Sequence, residues 1–297
     1  RDAINTGKIR GPRTFVSGER AANTREGNPP SIPLQTVEEA RAYVRKLVAL
    51  GVDVIKVDSS ISYDQLRAVV EEATAAGLTV VGHSQNIRKA AEVGLKYMEH
   101  TNTLAAAILE AMGRTVRETP DQRGAEIASM DTALFPSLIE FMVKQGVYVN
   151  PTLAAQWRSS TPRGAEWAAV AAQIVKDPGL AFVPADVRES WTQPDSRKPN
   201  PEGYAKMAEF VRKYAAAGGK VISATDAGFM PGLSMHYEMQ MLADIGVPPM
   251  TIVQGATLWP AEAVGRAKDL GSVEPGKLAD MMVVEGNPLD DIASTKN

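Results

Sequence analysis

The sequence predicts an α/β fold built on a parallel sheet that closes towards a barrel. Three observations carry that expectation. Short apolar, β-branched runs alternate with helix-period stretches, the pattern of βαβ units. The runs are near-continuous in apolar residues, as in strands covered on both faces. Four of them end in, or enclose, a chemically useful side chain: Lys56, His83, His100 and Asp226. Side chains at the carboxyl ends of parallel barrel strands meet at one mouth, where catalytic groups gather.

The runs are read in order as follows. TFVSG (14–18) is the first expected strand. After the loop containing GNPPSIP, a helix runs from Thr36 to Ala49, with Val37, Ala40, Val44 and Leu47 on one face. Thr36 and Glu39 have the spacing of a capping box. VDVIKV (52–57) is the second strand, followed by a helix from Tyr63 that Gly77 stops. LTVVGH (78–83), LKYMEH (95–100), VYVNPTL (147–153) and KVISATD (220–226) complete the set. The longer intervals, 102–146 and 154–219, read as helical insertions over the active face. Residues 1–270 are therefore expected to form the barrel part, and 271–297 a piece of a small β-subdomain with MMVV (281–284) as its strand.

Composition narrows the function classes. The 297 residues are 44% hydrophobic, enough for a sizeable core, and the formal net charge of −3 comes without a basic block. Nucleic acid and membrane surfaces are thus not expected partners; a small-molecule substrate is. No apolar run approaches the length of a bilayer span. There is no cysteine, which excludes disulfides and thiolate metal sites and fits either cytoplasm or periplasm. The chain opens on Arg1 inside what reads as a helix end, and it is expected to be a piece of a longer polypeptide.

Lys56 is the residue that most needs an explanation. An ammonium inside an apolar strand costs several kcal/mol unless paired, neutralised or chemically converted. A lone histidine is as often a hydrogen-bonded core residue as a ligand. Here, however, two of the chain's three histidines close equivalent strands of consecutive βα units. Imidazoles with a carboxylate suit a divalent cation, and Asp226 could bind the ion or act as a general base. Asp226 could equally cap the helix that follows it.

Several stretches resemble the metal-dependent amidohydrolase superfamily, in its prolidase and imidazolonepropionase-like branch. They are GKIRGPRTFVSG (7–18), IKV (55–57), GHSQN (82–86), MEH (98–100), ATDAG (224–228), GATLWPAEAVG (255–265) and GSVEPGKLADMMVVEGNPLDDI (271–292). The resemblance implies a distorted TIM-like (β/α)8 barrel with a small β-sandwich, here without its first strands. It implies one or two divalent ions, zinc foremost, and a carbamylated Lys56 bridging them. His83 and His100 would hold the second metal, and Asp226 the first, with Asp226 also moving the proton. His236, Tyr148 and Arg158 are candidates to contact substrate, with Asn150, Gln156, Trp157 and the 177–203 loop as further walls.

The family's His-x-His pair, on its first strand, has no counterpart in these residues. The resemblance therefore implies an amide-cleaving hydrolase, dipeptidase-like, whose activity is impaired in this segment. A non-catalytic assembly module and an ester or lactone hydrolase are the alternatives. Open barrel edges are expected to be covered by an upstream segment or by a homo-oligomer. A soluble bacterial protein is expected, its compartment unread.

Overall fold

The computed structural model describes residues 1–22, 31–114, 125–195, 197–226 and 230–296. Seven short strands form one parallel sheet: β1 (Arg20–Ala22), β2 (Ser31–Pro33), β3 (Val54–Val57), β4 (Thr79–Gly82), β5 (Tyr97–Glu99), β6 (Tyr148–Asn150) and β7 (Lys220–Val221). Their order is β2-β1-β3-β4-β5-β6-β7. From β1 to β7, therefore, each strand but β2 lies beside its successor, as in a curled βα series. The architecture is a TIM-like α/β fold that lacks some strands.

Register separates the sheet into two faces. Ile55, Val57, Val80, Met98, Val149 and Val221 are buried in the core. Their side-chain rows run across the sheet through the pairs Met98↔Val149 and Val149↔Val221. The alternate residues point the other way, because strand side chains change face at every step. These are Lys56 and Val81, paired in register, then Tyr97 and Glu99, Tyr148 and Asn150, and Lys220. All seven are half-buried, so this second face is where the chemistry can be reached.

The helices form where local signals place them. Thr36 caps the helix Val37–Ala49: its hydroxyl accepts from the Glu39 N–H at 3.1 Å, and the Glu39 carboxylate accepts from the Thr36 N–H at 3.2 Å. Ser62 and Gln65 repeat this box at the helix Tyr63–Ala75. The two helices pack side by side over the buried face, contributing Tyr43, Val44, Leu47, Leu66 and Val69 to the core.

Two expected strands are corrected. Residues 14–18 are irregular and the first strand lies at Arg20–Ala22, beyond Gly18, whose φ of +67° breaks extended pairing. MMVV (281–284) is not a strand: Met281, Met282 and Val283 are exposed and no neighbouring strand pairs with them. A β-branched run needs a ladder partner to become a strand, and among the described residues it has none. KVISATD is strand only at Lys220–Val221: the Ile222 N–H still donates to the Val149 carbonyl at 2.8 Å, but the Ser223 N–H turns away to the Gly255 carbonyl at 3.0 Å. The helix Pro249–Ala256 thus lies against the outer edge of this segment. A Cβ at Gly255 would come within 2.2 Å of the Val221 carbonyl oxygen, so only glycine permits the approach.

Candidate metal centre

Lys56 projects from β3 and meets the Glu99 carboxylate, which projects from the same face of β5. The ion pair answers the question that Lys56 poses: its charge has a partner one strand beyond its neighbour. Both side chains are about one-fifth exposed. Burial pulls the Lys56 ammonium down to about 8, with nearby Arg20 acting in the same direction and Asp226 and Asp58 opposing. Glu99, in contact, also favours the charged amine.

His83 follows β4 directly. Gly82 makes that placement possible: a Cβ there would sit 2.2 Å from the Val57 carbonyl oxygen, while the His83 N–H donates to that same oxygen at 3.1 Å. The imidazole's Nδ1 lies 3.6 Å from Asp58, and its Nε2 lies 3.3 Å from Glu99. The second approach is off-axis, and Nε2 is buried with no hydrogen-bond partner. A buried ring nitrogen that lies beside a carboxylate without bonding it has its lone pair or N–H unused, which suits it to a cation ligand. Asp58 follows the Lys56 strand and is held well below the usual carboxylate range, first by His83 and then by Ser60 and Arg20.

His100 follows Glu99 immediately, and two successive strand residues normally face opposite ways. A φ of +65° at His100 breaks that alternation, so both neighbours turn to one centre. The His100 ring stacks on His83 with centroids 4.8 Å apart. Its Nδ1 is 2.6 Å from the Thr152 hydroxyl, and its Nε2 is 3.8 Å from Asp226. Burial, and then the adjacent His83, pull its pKa down to about 4, so the ring is neutral at pH 7 and has a lone pair to offer. Asp226 also sits at positive φ, +52°, and is half exposed at the rim.

His83, Glu99 and His100 present ligand atoms that all lie within 4.8 Å of one another. Two nitrogens and one carboxylate oxygen are a donor set for zinc or a similar divalent ion. The residues fit a cation on two counts: the partnerless His83 nitrogen and the neutral His100.

The other expected residues take different places. Tyr148 occupies the amino end of β6, one layer below Asn150. There it stacks on Tyr97 at 4.2 Å and contacts Glu262 and Lys220, which are themselves joined at 2.8 Å. The Arg158 guanidinium faces Asp195 at 3.6 Å and the Ala155 carbonyl at 3.3 Å. His236 is turned to the C-terminal 3-10 turn, with Nδ1 2.9 Å from the Thr295 hydroxyl. Trp157 is buried and donates to Thr101 at 3.3 Å. The structure therefore brings together Lys56, His83, His100 and Asp226, and engages Tyr148, Arg158 and His236 elsewhere. The Ala227–Phe229 stretch, where a helix capped by Asp226 was an alternative, lies outside the described residues.

Glu99, Asp58 and Thr152 are further neighbours of this candidate centre. Glu99 carried the same signal as Lys56, a charge at an inward position of an apolar strand. Thr152 carried none, since its role depends on a backbone turn.

Comparison with known proteins bears on the family and the fold. The model of a family described as the amidohydrolase family matches residues 10–297. An imidazolonepropionase from Geobacillus kaustophilus (strain HTA426) is 37% identical over 76 residues, 25% of this chain and 18% of that protein. The match thus spans under one-fifth of that relative's length. Among solved structures, a Xaa-Pro dipeptidase with bound methionine in its active site superposes with a TM-score of 0.65 at 24% identity, covering 100% of this chain and 68% of that one. A putative prolidase from Bifidobacterium longum gives 0.64 at 24% identity, covering 99% and 65%. An ochratoxinase from A. niger gives 0.63 at 21% identity, covering 100% and 65%. These structural likenesses establish a shared fold.

Proposed function

The chain belongs to the amidohydrolase family, and from that premise we propose that it is the metal-holding part of a hydrolase cleaving the amide C–N bond of a dipeptide or cyclic amide. The observation that carries the reading is the convergence of His83, Glu99 and His100 beside Lys56 and Asp226. Its coarser part, a hydrolase acting on C–N bonds, follows from the family; the dipeptide preference is drawn from the prolidase-like relatives.

In this reading His83 and His100 hold a divalent ion, zinc foremost, with Glu99 or a carbamylated Lys56 as the anionic partner. A bound cation would supply acidified water and polarise the scissile carbonyl. The chain's own residues do the rest. Thr152 orients His100, and Asp58 orients His83. Asp226, exposed at the rim and next to His100, receives the proton from the attacking water and passes it to the leaving nitrogen. As an ammonium Lys56 holds Glu99 in place. Its carbamylation would require the ammonium to release a proton to solvent, the amine nitrogen to bond the carbon of carbon dioxide, and a second proton to leave, giving an anion.

The test is hydrolysis of a panel of Xaa-Pro dipeptides and N-acyl amino acids by the zinc-loaded polypeptide, alongside D226N. We expect D226N to lower kcat by roughly 100-fold or more while zinc content is kept. Equal turnover in D226N, or zinc-independent turnover, would refute the assignment. With three histidines in the chain and none in a His-x-His pair, turnover by these residues alone is expected to be weak.

A further inference from the structure

We propose that Glu238 is a positioning residue that holds His100 in its ligating orientation and tautomer by fixing the turn at Thr152. The proposal rests on the reading of His100 as a cation ligand and adds to it a residue remote in sequence.

Glu238 lies on the helix Leu233–Asp244 and is fully buried, 0% exposed. Carboxylates are almost never so buried without partners that justify it. Its partners are two main-chain donors: the Leu153 N–H at 2.9 Å and the Ala154 N–H at 2.7 Å, one to each oxygen. Those donors open the short helix Leu153–Trp157. A helix of this kind normally takes its cap from the preceding side chain. Here that residue is Thr152, which has left-handed backbone angles, φ +47° and ψ +47°, and makes no side-chain cap bond. Glu238 takes over the cap from across the structure, so the Thr152 hydroxyl is free for another use.

That use is His100. The hydroxyl donates to the Pro151 carbonyl at 2.8 Å and lies 2.6 Å from His100 Nδ1. A hydroxyl has one proton. With that proton committed to Pro151, the hydroxyl accepts from Nδ1–H. The imidazole then carries its proton on Nδ1, and Nε2, 3.8 Å from Asp226, keeps a lone pair for a cation. A left-handed threonine costs on the order of 1–3 kcal/mol and persists only where its surroundings impose it. The two Glu238 bonds are the constraint that the structure provides, so loosening them lets the turn relax and the hydroxyl withdraw.

The experiment is run above pH 8, where Glu238 is ionised in the folded chain, and uses nitrogen-15 spectra of the histidine rings in the metal-free chain, with H100A identifying the signal, and zinc titration of the same samples. Wild type is expected to show His100 as the Nδ1–H tautomer. E238Q, which sets an amide NH2 against one of the two N–H donors, is expected to shift His100 towards a mixture and to weaken zinc binding by about 10- to 100-fold. T152V, which keeps the volume and removes the hydroxyl, is expected to do the same. An Nε2–H tautomer in wild type would overturn the proposal, as would an unchanged tautomer in E238Q or in T152V. If E238Q fails to fold, E238D is read in its place, since its shorter side chain cannot reach both donors. If neither folds, the T152V spectrum decides. Expected tautomers without zinc binding would leave Glu238's positioning role standing and sink the metal reading alone.

Discussion

At the scale of residues, Lys56 and Glu99 form a charged pair on a face that neither could occupy singly at low cost. Breaking a partly buried pair leaves one uncompensated charge, whereas removing both can be nearly neutral. E99Q is accordingly expected to destabilise the chain by about 1–3 kcal/mol in urea unfolding. The double change K56M/E99L should recover most of that loss. A double variant no more stable than E99Q would show that the pair is incidental. The sequence displayed both charges, but only the register of β3 to β5 shows that they share a face.

Glu238 gives a second residue-scale expectation. Burial raises its pKa from the ordinary 4.5 to about 8, with the Leu153 and Ala154 N–H groups opposing; Tyr204 is the titratable side chain influenced by it. The folded chain therefore keeps a proton between these values that the unfolded chain has released. Stability linked to Glu238 is complete below pH 4.5 and declines as pH rises to about 8. E238Q should flatten that decline in melting curves across the interval. An equally steep decline in E238Q would assign the slope to other groups.

At the scale of elements, what was legible depended on whether the signal was local. The helix at Val37–Ala49 was readable because Thr36 and Glu39 build its cap within four residues. β3, β4, β5 and β6 were readable as apolar runs between turn signals. TFVSG and MMVV also contain apolar and β-branched residues, yet neither is a strand, because strand formation is decided by the partner alongside. The left-handed turns at His100, Thr152 and Asp226 were illegible for a related reason: His and Asp adopt such angles more often than most residues but still rarely, and β-branched Thr hardly at all, so the sequence does not mark where they occur. Gly82 is a readable exception. A methyl there would meet the Val57 carbonyl, so G82A should separate β3 from β4, lower stability by about 2 kcal/mol or more, and weaken zinc binding through His83. A G82A protein with wild-type melting temperature and zinc affinity would contradict that account of the strand junction.

At the scale of the whole molecule, a sheet of parallel strands gathers one functional residue from each of several strand ends. β3 contributes Lys56, β5 contributes Glu99, and the loops after β4, β5 and β7 contribute His83, His100 and Asp226. Helices cover the opposite face, and the helix Pro249–Ala256 lies along the edge beyond β7. None of the described helices is long and apolar enough to cross a membrane. If this centre binds a cation as proposed, binding is a property of the folded sheet rather than of any one segment and should stabilise the fold by mass action. The most direct measurement is calorimetric titration of zinc into the metal-free chain, repeated with H83A and H100A. About one ion per chain is expected, with a raised melting temperature and loss of that binding in each variant. Stoichiometric zinc that survives both substitutions, or none in the wild type, would contradict the centre built by these five residues.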